Sequence, residues 1–391
     1  MVIRVVAVGF MLLAWACANA QHAGHEDAVR VELAASAAFD AQGVLWVVSK
    51  SGGHVMLRRS ADAGKSWSAA QAVNAVPEGI GAEGDARPKI ALGTRSEVYV
   101  TWTQPLSKPY SGDIRFARSI DAGKTFSVPL TVHTDRQEIT HRFDALTVTR
   151  DGKLFIAWID KRDMMAAGKG ANYQGAAVYF AVSDNRGASF GGDHKLADHS
   201  CECCRIAMLP RDDGSVLALW RHVFEPNVRD HALGVMHADG RVSAVRRATF
   251  DDWAVDICPH HGPSLAADAA GMLHAVWFTQ GAKRAGVFYG RLRLSGDGGV
   301  DALRRVGGEA AAHADLAVSG KRVVVVWKEY DGTRSRLRAM MSDNGGDTWR
   351  ERDLLATAGA SDQPRALTHA GRIYAFWNTQ REGFTTTVIA P

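Results

Sequence analysis

Apolar residues in this chain come in short runs, each entered through a turn and closed by an aromatic residue. Seven stretches share the pattern: GVLWVVSK, EVYVTWTQ, KLFIAWID, SVLALWRH, MLHAVWFTQ, RVVVVWKE and RIYAFWNTQ. The closing aromatics are Trp102, Trp158, Trp220, Trp277, Trp327 and Trp377, and Val48 takes that place in the first stretch. Successive closures lie 54, 56, 62, 57, 50 and 50 residues apart. The runs are rich in β-branched and aromatic residues, with Gly, Asp and Asn between them, so they read as strands. No long stretch has the apolar period of a helix. Self-similarity at this period marks a repeat architecture, and a unit of this length holds about four strands. The expectation is an all-β chain folded as a β-propeller of seven blades, although a six-bladed count also fits the repeat. The last unit has chain for only three strands, in RALTH, RIYAFWN and TTTVIAP. The segment AVRVEL near the N-terminus is a candidate outer strand to close the ring.

A second signature lies inside the units. SADAGKSW at Ser60–Trp67 and SIDAGKTF at Ser119–Phe126 follow Ser-x-Asp-x-Gly-x-Ser/Thr-aromatic. SDNRGASF at Ser183–Phe190 and SDNGGDTW at Ser342–Trp349 follow it with Asn in place of Asp. The pattern describes a tight turn: Asp or Asn bonds nearby backbone, Gly takes the positive φ, and the aromatic packs back between strands. These four copies resemble the Asp-box (BNR) repeats of the sialidase-like β-propellers, and as architecture the resemblance covers nearly the whole mature chain. It implies that the boxes join the third and fourth strands of a blade, away from the ligand face, and are structural. Units four and five carry worn versions, HADGRV and SGDGGV.

The propeller register places the unusual residues. The loop entering each innermost strand opens beside the channel axis. Counting back about 15 residues from each tryptophan on this repeat puts those loops at Arg87, Arg142, Arg205, Gly262, Ala312 and Asp362. CECCRIAM and CPHHGPSL are then equivalent loops of neighbouring blades. Cys201, Cys203, Cys204 and Cys258 are expected to meet at the channel mouth, with His260 and His261 beside them. His141 and His313 come from the same loop class, His222 follows the second strand of blade four, His199 and Glu202 flank the cysteines, and Met208 points along the inner strand.

The N-terminus changes what these cysteines mean. Arg4 is followed by the apolar run VVAVGFMLLAWA and by Ala18-Asn19-Ala20. That order reads as a secretory signal peptide over residues 1–20, leaving a single propeller domain over 21–391 in the periplasm or outside the cell. A lipid-anchored Cys17 is the competing reading. The run is short for a membrane span, and no second apolar stretch is long enough to cross a bilayer. In an oxidising compartment the four mature cysteines could be disulfides. Of the three pairings, one needs a vicinal Cys203–Cys204 bond and another a Cys201–Cys203 bond across one residue, both strained. The third joins Cys201 to Cys204 and Cys203 to Cys258. A single bridge to Cys258 is easier, but leaves two thiols. In the alternative, the thiolates and imidazoles bind a soft metal ion, copper first and zinc second, for sequestration or delivery to a transport partner. His22 and His25 lie in a polar N-terminal leader that could also bind copper.

Composition adds one exclusion. The net charge of +4 over 391 residues is spread along the chain, with no Lys/Arg cluster, so nucleic acid is not an expected partner. A monomer is expected. The sialidase resemblance implies an alternative in which Arg87, Arg142 and Arg205 clamp an anion, Glu329 and Tyr330 act as the nucleophile pair, and Asp85 or Asp160 is the acid. The Arg-Ile-Pro signature of catalytic sialidases is absent, and RPKI is only a loose echo of it. The cysteines have no role in that chemistry. A disulfide-stapled scaffold that binds proteins is the third reading.

Overall fold

Each of the seven apolar runs becomes the second strand of an antiparallel sheet. In the computed structural model, which describes residues 31–168, 172–256, 259–294 and 298–390, six sheets have four strands and the last has three. Within every sheet the strands follow in chain order, so each blade is a simple meander. Seven such blades stand in a ring, and the fold is the seven-bladed all-β propeller read from the repeat. The signal-peptide reading, Cys17, His22 and His25 fall outside the described residues. Leu33–Pro391 forms one compact unit.

Burial explains why the second strands are apolar throughout. Leu154–Asp160 in blade three and Val216–Arg221 in blade four are buried at every position. Each such strand lies between two packed neighbours, so neither face meets water. The core is divided accordingly into clusters between adjacent blades. Trp102 packs with Trp46 and Val48 of blade one, and Trp158 with Tyr99 and Phe116 of blade two. Trp220 packs with Phe155 and Phe180 of blade three, and Trp377 with Val324 and Met341 of blade six. Burying an indole in each seam supplies much of the apolar area that holds neighbouring blades together.

The indole N–H groups are also accounted for, with one exception. Trp46 donates to Asp40, Trp102 to Glu78, Trp158 to Asp160, Trp277 to Asp251 and Trp327 to Glu329, at 2.6–3.0 Å. Trp377 donates to the Asp362 carbonyl at 2.9 Å. Trp220, in the blade entered through the cysteine loop, has no partner.

The four Ser-x-Asp/Asn-x-Gly segments are turns between the third and fourth strands of blades one, two, three and six. In blade three the Ser183 hydroxyl accepts from Gly187 N–H at 2.9 Å, and the Asn185 side chain accepts from Ser189 N–H at 3.0 Å. Gly187 has φ 75°, and a Cβ there would lie 2.6 Å from the Phe116 ring of blade two. Glycine is therefore required twice, by the backbone and by the neighbouring blade.

Among the described residues, blade seven receives no fourth strand from the N-terminal side. Residues 31–34 carry no strand, and 28–30 lie outside the described residues. Polar contacts join blades one and seven beside the apolar cluster of Ala35, Leu45, Val47 and Phe376: Ala35 N–H donates to Asp362 at 3.0 Å, and the Asn378 amide donates to the Leu33 carbonyl at 2.7 Å. A six-residue helix, Arg162–Ala167, follows the second strand of blade three. No helix among the described residues is long and apolar enough to cross a membrane.

Candidate metal centre

The cysteine loop runs from the outer strand of blade three, Gly191–Ser200, to the inner strand of blade four, Ala207–Pro210. His199 takes φ 55°, which turns the chain out of the outer strand. Cys201 N–H then donates to the Arg221 carbonyl at 3.0 Å, and Val223 N–H to the His199 carbonyl at 2.7 Å. These bonds pin the loop to the end of the second strand of blade four. At its far end Arg205 donates to the carbonyls of Pro263 in blade five and Ala314 in blade six, both at 2.7 Å. The loop is thus fixed at both ends before any side-chain chemistry is considered.

Between those anchors the three sulfurs converge. Cys201 Sγ lies 3.7 Å from Cys204 Sγ and 3.9 Å from Cys203 Sγ. All three sulfurs lie within 4.8 Å of one another. These separations are nearly twice an S–S bond length, so the trio is not cross-linked within itself. The residues are 1–3% exposed and belong to the core between blades three and four, with Phe143, Ile206 and Trp220. Met208 packs on the same cluster.

The three sulfurs are not electrostatically alike. Thiol donation from Cys203 and Cys204, helped by Arg221 and Arg229, holds Cys201 well below the ordinary thiol range despite its burial. Arg229 donates to Cys201 Sγ at 3.7 Å. Donation to Cys201 pushes Cys204 the other way, and burial adds to that rise. The loop therefore favours ionisation at Cys201 over Cys204.

Of the residues singled out in the sequence, Cys201, Cys203 and Cys204 come together. Cys258 lies outside the described residues, but the chain on both sides of it is held to the cysteine loop. Arg229, which touches Cys201, also donates to the Val255 carbonyl at 2.6 Å, and Arg221 donates to the His261 carbonyl at 3.1 Å. Val255 and His261, on either side of the undescribed residues, thus lie near the arginines of the cysteine loop. His260 and His261 do not join the group of mutually close sulfurs. His260 lies against the Phe143 ring at 6.4 Å, and His261 stacks on His313 at 4.1 Å. Burial lowers His261 to about 4, so its imidazole is neutral, and its Nδ1 has no partner. Glu202 forms an ion pair with Lys161 of blade three. His199 contacts the Tyr173 ring and Gln174, and His222 contacts the Phe224 ring. Sequence reasoning missed Arg221 and Arg229, which carry no motif and reach the sulfurs from a strand end and a loop.

At the axis the same loops meet around Asp85. Its carboxylate accepts from Arg205 N–H at 3.4 Å and Gly262 N–H at 3.3 Å, and lies 3.6 Å from the Arg205 guanidinium and 3.8 Å from Arg365. Burial alone would raise this carboxyl, but Arg205, Arg365, Arg87 and His313 together hold it below the usual range. The arginines of the anion-clamp alternative are already engaged. Arg87 is wholly buried and makes two bonds to Asp362, at 2.7 and 2.9 Å. Arg205 is spent on carbonyls and Asp85, and Arg142 lies over the Phe143 ring at 5.1 Å. Glu329 accepts from Gly308, Trp327 and Arg338, while Tyr330 donates to the Gly332 carbonyl. The two do not form a nucleophile pair. Asp160 is held by Trp158 and Arg162.

No family model matches the chain, and no curated protein sequence matches it. Solved structures do. A Dyadobacter fermentans protein of unknown function is 16% identical, with a TM-score of 0.53 over 77% of this chain and 92% of that one. An ulvan lyase bound to a GlcA(1-4)Rha3S unit is 10% identical, with a TM-score of 0.54 over 92% of this chain and 93% of that one. A mutant α-L-arabinofuranosidase of Fusarium graminearum, in complex with an iminosugar inhibitor, is 12% identical, with a TM-score of 0.52 over 80% and 96%. At these identities the likeness is one of fold: the chain is a seven-bladed propeller whose structural neighbours include glycoside hydrolases and polysaccharide lyases.

Proposed function

We propose that the protein binds a soft metal ion through the cysteine loop, copper(I) first and zinc second, and serves to sequester or deliver it. The observation that carries this reading is the spacing of the three buried sulfurs. Thiolates at about 2.3 Å from a tetrahedral ion stand about 3.8 Å apart, and the sulfurs here stand 3.7 and 3.9 Å apart. The lowered Cys201 thiol also suits metal capture, because a ligand thiol must give up its proton to the ion's charge. Cys258 is the proposed fourth ligand, and His260 or His261 a nitrogen ligand reached by a small rotation of its loop. On the same reading, export through a signal peptide delivers the chain to a compartment where free copper must be held. The resemblance of the four turns to Asp-boxes supports a sialidase-like propeller on this reading.

The carbohydrate-active reading has less behind it. It rests on the fold of the neighbours alone, and fold does not carry function. Two of its three arginines, Arg87 and Arg205, are already bonded to protein.

The test is reconstitution. Reduced protein titrated anaerobically with copper(I) against a competing chelator is expected to take up about one equivalent, and Cys203→Ser with Cys204→Ser to abolish uptake. Equal uptake by the variant, or none by either protein, overturns the reading.

A further inference from the structure

A second cluster lies in the seam between blades two and three, away from the cysteines. His141 is wholly buried at the start of the inner strand of blade three. Its Nδ1 donates to the Gly112 carbonyl at 3.0 Å. Its buried Nε2 has no hydrogen-bond partner. It faces oxygens: Asp135 Oδ1 at 3.5 Å, Asp160 Oδ2 at 3.8 Å, and the Asp113 carboxylate within 4.8 Å. Asp160 is neutralised by Arg162, which also takes Asp193. Asp113, whose Oδ1 lies 3.5 Å from His133 Nε2, and Asp135 remain. A buried ring nitrogen without a hydrogen-bond partner, set among carboxylates, calls for an explanation, and a bound cation supplies one.

We infer that His141, Asp113 and Asp135 form a second metal site, for a divalent ion of the zinc type. One imidazole with two carboxylates suits such an ion and not copper(I), which prefers sulfur. Ligands at about 2.1 Å from a tetrahedral ion stand about 3.4 Å apart, close to the 3.5 Å between His141 Nε2 and Asp135 Oδ1. The outer contacts are those of a held ligand set. The Gly112 carbonyl fixes the His141 tautomer, and Gln137 donates to both Asp135 oxygens at 2.8 and 2.9 Å. His133 is a brace and not a ligand. Its Nε2 accepts from Ile114 N–H at 3.1 Å, its Nδ1 bonds the Asp135 carbonyl at 2.6 Å, and its ring stacks on His141 at 3.9 Å. Stacked rings cannot both aim in-plane lone pairs at one ion. Solvent completes the coordination beside Asp113, whose side chain is part-exposed.

The inference does not rest on the cysteine reading, and one experiment separates them. The full chain carrying Cys203→Ser and Cys204→Ser is incubated with Zn2+, gel-filtered and assayed for zinc. It is expected to retain about one equivalent and to lose it when His141→Asn is added. Asparagine keeps a donor to the Gly112 carbonyl and removes only the Nε2 ligand. Cobalt(II) in this site gives weak visible bands without the intense thiolate charge-transfer band. Should His141→Asn fail to fold by circular dichroism, Asp113→Asn gives the same readout from a part-exposed position. No zinc on the cysteine variant, or zinc retained after both substitutions, overturns the second site. Loss of copper binding by the cysteine loop in unsubstituted protein would leave it standing.

Discussion

Cys201 is the thiol of the loop most inclined to ionise, because two thiols donate to its sulfur and two arginines, Arg221 and Arg229, lie near it. The arginine part can be removed singly. Arg229→Gln should move the onset of thiolate absorbance to higher pH, because it deletes a cation 3.7 Å from the sulfur. An unchanged onset would mean that the thiols alone hold the charge. The other marked residue is Trp220. Six seam tryptophans satisfy their N–H, and the one left without a partner stands in the core cluster that contains the cysteines. Where Trp158 and Trp327 meet a carboxylate two residues on, Trp220 meets His222, whose buried Nδ1 also lacks a partner. Departures from a repeated device are expected where a site has been grafted onto a repeat.

At the scale of the element, the turns between third and fourth strands lock one blade to the one before. Gly123 rests on Trp46 and Gly187 on Phe116, each at positive φ. Gly187→Ala should destabilise the protein by about 1–3 kcal/mol, from backbone strain and displacement of the Phe116 ring. Urea unfolding measures this, and a change below about 0.5 kcal/mol would show that the turn yields. These elements were legible in the sequence because the same physics repeats. A strand closed by Trp recurs seven times with one substitution, and the turn residues fall at fixed offsets. The register also brings His261 near the cysteine loop, through Arg221. What it could not supply was orientation. His261 stacks on His313 and not over the sulfurs, and nothing in CPHH distinguishes the two outcomes. Nor does sequence spacing show that Arg229 reaches Cys201 while holding Val255, since that contact depends on how two loops pack.

The whole molecule is a ring, and its closure is polar at the axis. Arg87 of the blade-two entry loop and Asp362 of the blade-seven entry loop bridge across blade one, both almost fully buried. Arg87→Leu strands the Asp362 charge and should cost about 3–5 kcal/mol. An unchanged denaturation midpoint would relocate closure to the apolar cluster of Leu45, Val47 and Phe376. Acid should weaken the ring as well. Burial lowers His133 to about 3 and His222 and His261 to about 4, and holds His231 and His313 well below 6.5. These imidazoles stay neutral in the fold while the unfolded chain protonates near 6.5. The stability is whole above that pH and drains as pH falls toward 4, by up to about 1.4 kcal/mol per pH unit for each histidine. Flat urea midpoints from about pH 7 to about pH 4.5 would contradict this.

The central claim is that three buried sulfurs await a metal ion. Elemental analysis of the full chain, purified natively without chelator or reductant and paired with a thiol count after denaturation, tests it most directly. The account predicts copper or zinc bound in proportion to protein, with the cysteines of the loop titrating as thiols once the metal is removed. Metal-free protein whose cysteines are all in disulfides would contradict it.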